Sequence, residues 1–178
     1  FIIMKKFFSL IVMAALGTCF VSCGSDDDED PVVTPVYTSV NAKLSCKVTE
    51  ETLNLASVII TYTNEDGTTS KASVLTPNWE RTVTINKPVS ECVFKVSVTK
   101  WPGIGDLDKT VKFGLEEIGM IAESYDQNGN MISSYKVATK NSFSVDPENI
   151  DKLFAQYADE PFYELSAVFD KDGNCLGE

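Results

Sequence analysis

The 178-residue sequence contains no histidine, and Arg81 is its single arginine. Without histidine, neither a Ser-His-Asp triad nor a Cys-His pair can be assembled, and imidazole-held zinc, copper or iron is excluded. The five cysteines include no C-x-x-C spacing, so zinc held by thiolates is not expected either. Neither G-x-x-x-x-G-K nor G-x-G-x-x-G occurs, which removes two common phosphate-cradling loops. Beyond residue 21 no apolar run approaches the ~20 residues that a membrane-crossing helix needs. Basic residues are outnumbered, 15 Lys and Arg against 26 Asp and Glu, for a formal net charge of −11. Nucleic acid and anionic lipid surfaces call for Lys/Arg clusters, so no nucleic-acid partner is expected.

What is present begins with delivery. Met4-Lys5-Lys6 forms a positive start, and Phe7 to Val21 is an apolar core of 15 residues. That length and those flanks fit a secretory signal over residues 1–22 rather than a spanning helix. Removing it takes away Lys5, Lys6 and no acid, so the formal charge moves from −11 to −13. Five of those charges lie in the run Asp26-Asp27-Asp28-Glu29-Asp30, and the other eight are spread over the body as a solvated surface.

The run ends Phe20-Val21-Ser22-Cys23, which resembles the lipobox of bacterial lipoproteins: a small residue, then a cysteine. Phe20 stands where that family more usually has Leu. Cys19 fits less well, because the bulkier Thr18 precedes it. The resemblance implies a diacylglycerol on the Cys23 thiol and cleavage just before it. Each buried lipid CH₂ contributes about 0.8 kcal/mol, so several acyl chains anchor a protein firmly. Ser25-Asp26-Asp27-Asp28-Glu29 resembles the acidic export signal of surface lipoproteins of the Bacteroidota type. That resemblance implies an outer-membrane lipoprotein facing the cell exterior. Pro31 and Pro35 continue residues 23–36 as a linker, and residues 37–178 are expected to be a single domain.

From Val36 onward, apolar and polar residues alternate with period two. Val40, Ala42, Leu44, Cys46 and Val48 share one phase. Cys92, Phe94, Val96 and Val98 form the clearest second case, and Trp79, Arg81, Val83 and Ile85 a looser one. Val111–Leu115, Ile118–Ala122, Met131–Val137 and Tyr163–Phe169 are further candidate strands. Asn64-Glu65-Asp66-Gly67-Thr68, Asp126-Gln127-Asn128-Gly129-Asn130 and Asp170-Lys171-Asp172-Gly173-Asn174 each put Gly after Asn or Asp, the chemistry of a tight hairpin turn. They predict hairpins 55–62/69–75 and 116–125/131–139. The expected fold is all-β: a β-sandwich of about eight strands. One crossover helix is expected near 147–158, with Asp146 capping, Pro147 first, and an apolar stripe of Ile150, Leu153, Phe154, Tyr157 and Ala158. The stretch from Tyr37 to Trp101 resembles immunoglobulin-like or fibronectin-type modules, which implies the same sandwich.

The two Asp-x-Asn/Asp-Gly loops depart from calcium loops, which need Gly at position 6 and Glu at 12, and read as turns. Ser133-Ser134-Tyr135-Lys136 matches S-x-x-K, but on a strand that spacing puts Ser and Lys on opposite faces. Cys46 and Cys92 share core-facing phases, leaving two readings open: buried thiols, or a disulfide between sheets. What remains is recognition. Trp101 lies on the outward phase of its strand and is expected to be at least partly exposed; Tyr125 and Tyr135 are further candidate contacts. The expectation is a non-catalytic, lipid-anchored binding or accessory module with no metal or cofactor, taking a glycan, peptide or protein ligand. A structural subunit of a surface or fimbrial assembly is the alternative, and a carboxylate hydrolase ranks last.

Overall fold

In the computed structural model, residues 34–105 and 107–176 are described. The alternation that opens the body becomes β1, Tyr37–Val48, in which Val40, Ala42, Leu44, Cys46 and Val48 are all buried. Seven further strands follow: β2 Ala56–Thr63, β3 Thr69–Ser73, β4 Asn78–Ile85, β5 Glu91–Lys100, β6 Val111–Asp126, β7 Met131–Val145 and β8 Tyr163–Val168. They form two four-stranded sheets, ordered β4-β1-β6-β7 (sheet A) and β3-β2-β5-β8 (sheet B). Every pairing is antiparallel. The result is the all-β sandwich of eight strands that the alternation predicts.

Between the sheets lies one apolar core, in which Leu44, Ile60, Ile85, Phe94 and Phe113 are fully buried. Each such side chain contributes about 1.5–3 kcal/mol when removed from water. Trp79 reaches across from sheet A, with ring centroids 5.9 Å from Tyr62 and 5.8 Å from Phe94 of sheet B. Arg81, on the same phase of edge strand β4, lays its guanidinium 4.8 Å above the Tyr62 ring. An inward-pointing charge of this kind also discourages edge-to-edge pairing.

Several expected boundaries move. Val111–Leu115 and Ile118–Ala122 belong to one strand, β6, with a register irregularity between Leu115 and Ile118 that absorbs Glu116 and Glu117. The expected helix at 147–158 shortens to a 3₁₀ turn, Pro147–Asn149, followed by α2, Ile150–Gln156. Asp146 does not cap it; its carboxylate accepts from the Thr110 hydroxyl at 2.6 Å and ties the loop before β6 to the one after β7. A helix that alternation did not reveal, α1 (Glu50–Leu55), joins β1 to β2. Thr49 caps it by accepting from the Thr52 N–H at 3.2 Å, and Glu50 and Glu51 occupy its first turn, where the helix dipole favours acids.

Contacts sort the loops into two ends. At the turn end, Gln127 donates to the Val36 carbonyl, the Tyr37 hydroxyl donates to Val89 O at 2.9 Å, and the Ser124 hydroxyl meets Gly173 O. At the helical end, α1, α2 and residues 101–105 gather, with Phe113 at the centre of rings from Phe143, Phe154 and Phe162.

Candidate functional site

Cys23 and the acidic segment Ser25, Asp26, Asp27, Asp28 and Glu29 lie outside the described residues, as do the signal and most of the linker. The three aromatic candidates are described, and the fold does not bring them together. Trp101 is 43% exposed at the helical end, where its indole N–H donates to Leu53 O at 3.1 Å and its backbone N–H to Leu55 O at 2.9 Å. Tyr125 lies at the turn end of β6 on the outer face of sheet A, and its hydroxyl donates to Glu123 Oε2 at 2.7 Å. That bond raises the phenol's pKa. Tyr135 sits opposite Ala122 and packs against the core, so it faces the other side of the same sheet.

The disulfide reading of Cys46 and Cys92 does not hold: both are free, buried thiols. Cys46 belongs to β1 of sheet A and Cys92 to β5 of sheet B. Packed sheets stand ~10 Å apart, whereas a disulfide needs Cα atoms within about 7 Å. A shared inward phase therefore places two cysteines in one core without placing them within reach. Burial pushes both thiols up to about 12, so neither is a nucleophile at neutral pH.

The Asp-containing loops spend their carboxylates on themselves. Asp126 Oδ1 accepts from the N–H groups of Asn128 and Asn130, each at 2.8 Å, and its Oδ2 from the Asn130 amide at 3.1 Å. Asp170 repeats the pattern with Asp172 and Asn174. Among the described residues no three acids or cysteines converge as a metal site would require.

A concavity lies elsewhere, across the outer face of sheet A. Register aligns Glu80, Ser45, Gly119 and Ala138 in one row over β4, β1, β6 and β7. Three of these four side chains are small, so the row forms a floor. The neighbouring row, Thr82, Lys43, Ile121 and Lys136, forms one wall; Lys47 and Glu117 stand on the other side. The groove, open to solvent above, measures about 470 Å³. Ligand pockets typically run from ~300 to ~1,000 Å³.

Gly119 explains the depth. A Cβ there would stand 2.9 Å from Ser45 Oγ, closer than real Cβ atoms approach. Glycine within a strand marks a place where something comes close to the backbone. That glycine, on a solvent-facing phase, was the signal available in the sequence. Its partners Ser45 and Ala138 lie far away in the chain, and no local pattern joins them.

The walls differ in charge. Beyond Glu117, Glu116 accepts from both Lys112 and Lys47 at 2.7 Å, and those bonds, Lys112's foremost, hold its carboxyl down to about 2. Lys47 and Lys112 are thereby committed. Lys43 and Lys136 have no ion-pair partner among the described residues. Two free ammonium groups thus stand along one wall, while Glu80 and Glu117 offer carboxylates at the floor's end and the opposite side. No Trp, Tyr or Phe lines this groove. A scan against protein-family models matches none of them, and a search of curated proteins finds no similar sequence.

Proposed function

We propose that this chain is a non-catalytic, lipid-anchored binding or accessory module on the outer surface of a bacterial outer membrane, with the sheet A groove as its ligand site. The observation that carries the reading is the bare Ser45-Gly119-Ala138 floor on an otherwise side-chain-covered sheet face. The lipobox-like Phe20-Val21-Ser22-Cys23 and the acidic segment behind it support the anchor and its outward direction.

Two experiments test the two halves. A glycan and peptide binding screen with the purified chain and its Ala138→Leu variant addresses the groove. Ala138 is exposed, so leucine there fills the floor without disturbing the core. Ligands held by the parent and lost by the variant support the groove; a ligand held equally by both places binding elsewhere. For the anchor, Cys23→Ala is expected to move the protein from the membrane fraction to the soluble one, and persistent membrane retention refutes lipidation there.

A second reading, a structural subunit that pairs strands with a neighbour, is favoured by β7. This strand is 15 residues long and has a sheet partner, β6, on one side alone. Lys136 and Lys140 on that edge oppose such pairing. Concentration-dependent assembly of the purified chain would favour this second reading.

A further inference from the structure

We infer that the groove takes an acidic oligosaccharide, with a sugar carboxylate held between Lys43 and Lys136 above Ile121. This rests on the groove being the ligand site. Lys43 and Lys136 occupy the same cross-strand row with Ile121 between them. Neighbouring strands are ~4.8 Å apart, so the two lysine Cα atoms are separated by about 10 Å. Two flexible lysine chains at that spacing can close on one carboxylate, and Ile121 beneath them excludes water from the contact.

The opposite side selects what accompanies the carboxylate. Glu80 and Glu117 accept hydrogen bonds and repel further anions, so the remainder of the ligand must offer donors instead of more negative charge. A sugar ring does this with hydroxyls, for which Ser45 and Thr82 supply additional partners. Its C–H face rests on the flat Gly119 and Ala138 floor.

Direction argues against a peptide. The floor row crosses the strands, and the backbone groups beneath it are already committed to the sheet. A peptide lying along that row would lose water from its own N–H and C=O groups and recover little. Extended peptides gain main-chain bonds by adding along an edge, parallel to the strands. The absence of aromatic residues in the lining also removes the stacking platform that would favour uncharged sugars.

The test is calorimetric titration of the full chain, in detergent, with a galactose trisaccharide in which one residue is galacturonic acid, its fully neutral galactose counterpart, and triglutamate. The expected result is binding of the galacturonate alone, weakening as salt rises. Lys43→Met and Lys136→Met should each weaken it by about tenfold. Ala138→Leu should abolish it, with unchanged circular dichroism showing that each variant folds. Absence of galacturonate binding overturns the inference, as does equal binding of the neutral sugar. Binding of triglutamate in preference, lost in Ala138→Leu, overturns the saccharide while the groove survives. Galacturonate binding indifferent to Ala138→Leu removes the groove itself.

Discussion

The two ends of the sandwich close by different means. At the turn end, loops 64–68, 126–130 and 170–174 each satisfy their own backbone. Asp66 Oδ1 accepts from the Thr68 N–H at 2.7 Å, and Asp126 and Asp170 each take two N–H groups from their own loops. At the helical end, satisfaction comes from residues distant in the chain. The Thr52 hydroxyl accepts from the Gly114 N–H at 2.7 Å, the Thr49 hydroxyl donates to Lys112 O at 2.9 Å, and Trp101 donates to Leu53 O. A hairpin turn can be written in five letters because its partners are neighbours. A crossover has to borrow partners, so its chemistry is spread across the sequence.

The largest mutational effects are expected at the helical end. Phe113 is fully buried and touches Phe143, Phe154 and Phe162. Phe113→Ala should cost about 3–5 kcal/mol in denaturant unfolding. A cost below about 1 kcal/mol would mean that this end does not depend on its long-range packing.

The turn end holds a matched pair. Gly129 and Gly173 occupy twin loops with φ of 78° and 84°. Gly129→Ala meets nothing within 4 Å and should cost only left-handed strain, about 1–2 kcal/mol. Gly173→Ala would push its Cβ to 2.9 Å from the Tyr37 ring and should cost clearly more. Equal costs by thermal unfolding would show that the two turns are independent of what they pack against. Thr52→Val, which leaves the Gly114 N–H without its acceptor, should cost about 1–3 kcal/mol by the same measurement.

Acid should separate the ends most gently. Burial acts to raise the Asp126 carboxyl, yet hydrogen bonds from Asn130 and Asn128 outweigh it and hold the group below its ordinary 3.8. Asn174 holds Asp170 below that value, and Thr68 does so for Asp66. Carboxyls depressed on folding stabilise above their unfolded pKa, and that contribution is lost as pH falls through the folded value. Protection of the Asn128, Asn130, Asp172 and Asn174 amides, measured against their intrinsic exchange rates at each pH, should therefore be lost first as pH falls below about 4. The Gly114 and Trp101 amides, whose acceptors do not titrate, should follow later; the reverse order would dissolve the distinction.

Much of the architecture was legible in the chain. Val40 through Val48 and Cys92 through Val98 announced buried faces by alternation, and three Asx-Gly turns announced hairpin closures. Helix α1 is hard to read from the chain because Thr49-Glu50-Glu51-Thr52 carries a capping signal but only one helical turn of apolar pattern. Asp146 has the chemistry of a cap, but the donor that takes its carboxylate, Thr110, lies 36 residues away and leaves no local trace. For the site, the individual aromatics were visible and their dispersal was not. Trp101, Tyr125 and Tyr135 fall at one end, on one outer face and on one inner face.

Which side chains enter the core and where the chain reverses follow from the linear chain. Those properties depend on period and on nearest neighbours, which a linear string contains. That β1 lies between β4 and β6, and so that Glu80, Ser45, Gly119 and Ala138 share a row, depends on the assembled sheet. Register between distant strands is set by the summed packing of both sheets, and a shift of one residue would turn the floor into the core. The groove exists because three small residues, each unremarkable where it stands in the chain, were brought side by side.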